Sequence, residues 1–333
     1  MRRRTRYSLL LMLALMVALA VVLVLRKAAP PEAARLLPES DAILYANLKP
    51  LRAATHFDRT QITRSPDYEK FIDATGIVPE RDLDSVAFAL HRMDDPNGPN
   101  GPVGYSEVFE GRFDGERLAH YLATIASSKE NYAGHDIFTI PVGDGNATRT
   151  LRVAQLGYDT IAASNMPTAE QIHSILDRHR AAASPFSGSS LLSARYRDVP
   201  AFSSAWAIGH IGLPFSERGY ISVLGLQLPL PEDTTFVASL RYLGTLHLRI
   251  EQIAPTDADA AHATQTLTTL LTLVKSVQQT QTQMQSNAGS DAPFLELMNS
   301  AKIEQHKDRA VLTANIPIDL VKRLTTPSRE RRP

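Results

Sequence analysis

The sequence predicts an α+β fold: an N-terminal transmembrane helix followed by two similar strand-helix-hairpin-helix modules with antiparallel-rich sheets. Three observations carry this. Residues 8–25, SLLLMLALMVALAVVLVL, form one apolar run. Beyond it, strand-type alternation recurs between segments with the apolar spacing of amphipathic helices. The order strand, helix, hairpin, helix is then met twice between Glu107 and Leu324.

At about 1.5 Å per residue the apolar run is long enough, as a helix, to cross the hydrocarbon layer of a bilayer. Leu9, Leu13, Val17, Val21 and Leu25 are among the side chains that would meet lipid. Arg2, Arg3, Arg4 and Arg6 precede the run, whereas only Arg26 and Lys27 follow it directly. That bias keeps residues 1–6 in the cytoplasm and makes the chain a single-pass protein with its C-terminal part outside, periplasmic in a Gram-negative cell. The competing reading is a cleaved secretory signal ending at Ala18-Leu19-Ala20. Cleavage there would leave the greasy stretch Val21 to Leu25 at the new terminus, so an uncleaved anchor over residues 7–27 is expected, with the lipid bilayer as its partner. Both readings export the remainder.

Composition narrows the chemistry. Without the six basic residues at positions 2 to 27, the rest of the chain carries a net charge of about −6, which argues against nucleic acid as a partner. The absence of cysteine removes disulfides, thiolate metal sites, thiol catalysis and a lipoprotein anchor.

Residues 28–37, AAPPEAARLL, read as an Ala/Pro linker. A first module is expected over 38–186, a second over 187–326 and a disordered tail over 327–333. Strands are read at Ala42 to Leu48 and Val86 to Leu90. Between them lies a helix with Ser65 as cap, Pro66 at its first position, Tyr68, Phe71 and Ile72 on one face and Gly76 as its stop. DDPNGPNGPVG, from Asp94 to Gly104, is an exposed loop. In the first copy of the repeat a strand from Glu107 to Phe113 leads to a helix capped by Asp114, with Leu118, Tyr121, Leu122 and Ile125 on its apolar stripe. Strands follow at Asp136 to Pro141, Leu151 to Leu156 and Thr160 to Ser164, and a helix opens at Thr168 with Gln171 completing a capping box. In the second copy Leu246, Leu248 and Ile250 alternate in a strand. A helix capped near Thr256 buries Leu267, Leu270, Leu271 and Val274, a hairpin turns at Lys307-Asp308, and Leu320, Val321 and Leu324 mark a last helix.

LLPESDAILYANLKPL, TGIVPERDLDSVAFAL, YAGHDIFTIP and DTIAASNMPTAEQIHSIL occur in this order. Together they resemble an uncharacterised bacterial extracytoplasmic family classed as a domain of unknown function. The resemblance covers roughly residues 36 to 210. It implies an anchor or signal, a proline-acid start to the first strand, a turn leading to an Asp-Leu pair and a Tyr-Gly strand entry. Ser85 stands where such proteins tend to carry glycine. The family's function is unknown, so no catalytic residue transfers.

The ten histidines include no HExxH, HxH or HxxxH arrangement that would aim two imidazoles at one ion. His173 and His179 point to different sides of one helix, and His173 with Asp177 reads as a solvated pair. His135-Asp136 reads as a turn. Gly143-Asp144-Gly145 lacks the third glycine and the following helix of a dinucleotide site. Ser187-Gly188-Ser189-Ser190 is no nucleophile elbow. The acid pairs Glu107/Glu110, Asp82/Asp84 and Asp94/Asp95 read as surface or turn residues, with Glu110 paired to Arg112. No catalytic residue, metal ligand or cofactor is therefore expected.

From Ala207 to Leu230 only Glu217 and Arg218 interrupt a nearly charge-free stretch, and Leu224, Leu226, Leu228 and Leu230 fall on one face of an extended segment. It is either a buried hairpin joining the modules or an apolar contact for a lipid or protein partner. The expected function is non-enzymatic: a membrane-anchored extracytoplasmic protein that binds or has a structural role in the envelope. The alternative is a cofactor-free hydrolase whose site is assembled from distant residues.

Overall fold

In the computed structural model the described residues are 12, 16, 29–59, 64–95, 98, 101–143, 149–181, 187–210, 220–223, 226–229, 234–284 and 292–320, with 220–223, 226–229 and 277–284 described as backbone only. The helices are α1 (Glu32–Leu36), α2 (Leu48–Thr55), α3 (Pro66–Thr75), α4 (Pro79–Asp82), α5 (Gly115–Ile125), α6 (Glu170–Arg180), α7 (Ser190–Arg195), α8 (Asp257–Met284) and α9 (Ala292–Ser300). The strands are β1 (Ala42–Asn47), β2 (Leu83–Arg92), β3 (Val103–Gly111), β4 (Ser128–Tyr132), β5 (His135–Val142), β6 (Arg149–Gln155) and β7 (Thr160–Ser164), then β8 (Ala205–His210), β9 (Tyr220–Val223), β10 (Leu226–Pro229), β11 (Thr235–Tyr242), β12 (Leu246–Ile253), β13 (Lys302–His306) and β14 (Arg309–Ile316).

Twelve strands form one sheet in the order β13-β14-β12-β11-β8-β1-β2-β3-β7-β6-β5-β4, and β9 and β10 form a separate hairpin. Every neighbouring pair in this sheet runs antiparallel. This corrects the expectation of two modules with sheets of their own. The chain crosses the expected boundary at residue 187 and then lays β8 against β1, with Ala42 opposite Gly209 and Tyr45 opposite Trp206. Gly209 makes the close approach possible: a Cβ there would lie 2.5 Å from that of Ala42. The expectation of an N-terminal transmembrane helix is corrected too, because among the described residues no helix is long and apolar enough to cross a membrane. The longest described helix, α8, alternates its leucines with Thr, Gln and Lys. Arg2, Arg3, Arg4, Arg6, Leu9, Leu13, Val17, Val21 and Leu25 lie outside the described residues.

Directly opposed residues of antiparallel strands point to the same side, so the registers assign two faces. On face A one row runs through Val237, Ile208, Ile43, Ala89, Ser106 and Ser164. The apolar side chains of this face are covered by Ala33, Ala34, Leu36 and Leu37 from α1 and its end, by Ile172, Ile175 and Leu176 from α6, and by Leu192 from α7. Residues 33, 34, 36 and 37 of the expected linker are thus part of the core. Ala33 and Ala34 are fully buried, small enough for the helix to lie against the alanine-rich strands. Glu110 fixes α1 by accepting the Ala33 N–H at 2.9 Å and the Ser85 hydroxyl, so it is no surface partner of Arg112.

Local signals explain the helix ends. The Ser65 Oγ accepts the Tyr68 N–H at 3.3 Å, and Gly76, at φ 72°, closes α3 in the left-handed region that suits glycine. Asp114 caps α5 by accepting the Arg117 N–H at 3.1 Å. α6 departs from expectation, because it starts at Glu170 after Ala169 without a side-chain cap. The guanidinium of Arg152 donates to the carbonyls of Met166, Pro167 and Thr168 at 2.7, 3.1 and 3.2 Å, which fixes the turn leading into the helix. The hairpin at Lys307-Asp308 is observed, with His306 opposite Arg309.

Candidate binding face

Face B has helices at its two ends. α5, with Leu118 and Leu122, packs on Phe138, Ile140, Val153, Ile161 and Ala163, and Phe71 of α3 joins this cluster. At the far end α8 and α9 lie over β13 and β14. The side of α8 follows from its first residue: Gln305, on face B of β13, donates its amide to the Asp257 carbonyl at 2.9 Å. Between these helix layers the sheet floor carries Ile250, Ala238, Ala207, Leu44, Phe88 and Glu107 in one continuous row. All six are half-buried. Phe236, Leu90 and Tyr105 flank the row on one side, and Leu240, Ala46, Val86 and Phe109 flank it on the other. Ala207 and Ala238 make the floor lowest in its middle. On the second side it continues into a small apolar cavity of about 50 Å³ beneath α2, lined by Ala46, Leu48, Leu51, Ala205, Leu240 and Ile318 among others.

Glu107 is the one carboxylate in this row. It faces Phe88 on β2 and Ala163 on β7. Among the described residues its carboxyl has no hydrogen-bond or ion-pair partner, and burial alone pushes its pKa up to about 7. The surface reading of Glu107 is therefore corrected. Tyr105, next but one on the strand, is also pushed up, by burial and then by the Glu107 charge, with Arg149 acting in the opposite sense.

The other sequence candidates fall elsewhere. Leu226 and Leu228 lie in β10, opposite Val223 and Ile221, while Leu224 and Leu230 lie outside the described residues. Asp82 is buried and accepts the Val78 N–H at 2.8 Å and Arg81 at 2.7 and 2.8 Å, which ties the end of the short α4 to its start. Asp84 meets Lys49 and Arg52. His173 and Asp177 each pair with β4 rather than with one another. His173 stacks on Tyr132 at 3.9 Å and meets Glu130 at 2.9 Å, and Asp177 accepts the Tyr132 hydroxyl at 2.9 Å, so α6 holds the edge strand β4.

Two contacts escaped sequence reasoning because they join distant residues. His135 and His179 approach with ring centroids 5.7 Å apart, yet no group of three or more His, Asp or Glu among the described residues could hold a metal ion. His91 Nε2 lies 3.1 Å from the Ser106 hydroxyl, which lies 3.1 Å from that of Ser164. This is the contact a serine hydrolase requires, but Ser106 and Ser164 are both fully buried under face A. Burial also holds His91 below the usual histidine range. A substrate has no path to that hydroxyl, so the chain of bonds satisfies buried polar groups.

No protein-family model and no curated protein matches the chain. Among solved structures it is similar to TP0453 in several crystal forms. Form III gives a TM-score of 0.46 at 10% identity, covering 89% of this chain and 98% of that one. Form IV gives 0.45 at 10% identity with the same coverage. Form I gives 0.43 at 10% identity, covering 90% of this chain and 98% of that one.

Proposed function

We propose that this chain is a non-enzymatic binding protein that works outside the cytoplasm and holds an apolar ligand in the trough of face B. The single observation that carries this reading is the half-buried apolar floor between two helix layers, since an apolar lining with one polar group matches the usual make-up of a small-molecule site. Export is supported by the arginines followed by an apolar run at the start of the sequence. The reading is tested by titrating the full chain with an environment-sensitive apolar dye and repeating the titration with Phe88→Arg. A charge placed at the centre of the floor is expected to weaken dye binding by about tenfold or more. Equal binding by the folded variant, checked by circular dichroism, contradicts the reading.

A further inference from the structure

The trough carries a charge that no described residue answers. From Glu107 on β3 to Ile250 on β12 the floor row crosses five strand spacings, which is about 24 Å at the usual separation of paired strands. Along this length the side chains are Phe88, Leu44, Ala207, Ala238 and Ile250, none of which can ionise. The charge stands at one end and the apolar surface extends away from it in one direction. That is the mirror image of an amphiphile with a single chain and a single head.

We propose that the ligand of this trough is a single-chain amphiphile with an ammonium head, seated with the head against the Glu107 carboxylate and the chain along Phe88, Leu44 and Ala207. This inference rests on the trough reading given above and adds the ligand class to it. The argument is charge complementarity. A carboxylate half-buried among apolar groups without a donor is costly, and an ammonium supplies both a donor and the opposite charge where water is scarce. An anionic head would meet like charge and pay the same desolvation. The described groups around Glu107 do not supply this partner from within. Phe88 and Ala163 face it from β2 and β7, Phe109 and Tyr105 flank it on β3, and Arg149 on β6 acts on Tyr105 without being a partner of Glu107.

The test is calorimetric titration of the full chain with decylamine, decanol and decanoate, each below its micelle-forming concentration, at about pH 8, where a carboxyl that titrates near 7 is ionised. Decylamine is expected to bind about tenfold or more tighter than decanol, as a charge-assisted contact warrants, and decanoate more weakly than decanol. Glu107→Gln should remove the preference for decylamine over decanol, read as the ratio of the two affinities within the variant. In the unaltered protein the same preference should fade as the pH is lowered through about 7 toward about 5.5, which supplies a check that needs no variant. If decanol binds but decylamine shows no preference, or if Glu107→Gln weakens both alike, the ammonium assignment is overturned and the trough stands. If none of the three binds, the trough reading falls and this inference with it.

Discussion

Glu107 and Glu110 lie three residues apart on one strand and meet opposite fates. Glu110 points to face A, where the Ala33 N–H and the Ser85 hydroxyl satisfy it. Glu107 points to face B, where it has apolar neighbours and a pKa pushed up to about 7 by burial. The sign of the consequence runs against the common carboxylate case. Because the folded carboxyl holds its proton more tightly than the unfolded one, its contribution to stability is fully present below about pH 4.5 and is lost as the pH rises through about 7. Glu107→Gln removes this loss. Urea midpoints of the ligand-free protein and the variant should therefore draw apart as pH rises from about 4 to about 8, with the variant gaining relative to the parent. A gap that stays constant with pH would show that Glu107 is solvated.

At the scale of elements, α1 shows what the sequence conceals. AAPPEAARL reads as a spacer because alanine and proline carry no periodic apolar signal, and Ala33 and Ala34 count as core only against a sheet that the local sequence does not display. β4, SKENY, escaped for a related reason: it is an edge strand with charged and polar side chains, a common protection against edge-to-edge pairing, and so lacks apolar alternation. By contrast α3, α5, β7 and the Lys307-Asp308 hairpin were legible, because caps, stops and turns are written in neighbouring residues. The candidate face was not legible, since Leu44, Phe88, Ala207, Ala238 and Ile250 come together only through strand order. Leu36→Ala tests the role of α1. Leu36 is 2% exposed, and its truncation should cost about 2 to 5 kcal/mol in urea unfolding. A loss below about 0.5 kcal/mol, the range of ordinary surface substitutions, would return the segment to the status of a spacer.

At the scale of the molecule, β1 and β8 are the seam from which both halves of the sheet extend. β1 leads through β2 to β3, β8 leads through β11 to β12, and the helices that follow β3 and β12 both cover face B at its outer ends. Face A is closed over much of its length by α1, α6 and α7, and its His91-Ser106-Ser164 chain is sealed beneath them. Among the described residues the fold therefore leaves a half-buried apolar floor on one side of the seam. Photolabelling of the full chain with an alkyl diazirine, followed by mass spectrometry of its peptides, reads that arrangement directly. The account predicts that the label is carried by the floor peptides containing Leu44, Phe88, Ala207 and Ile250, and that decanol displaces it. Label confined to other peptides, or undiminished by decanol, would contradict it.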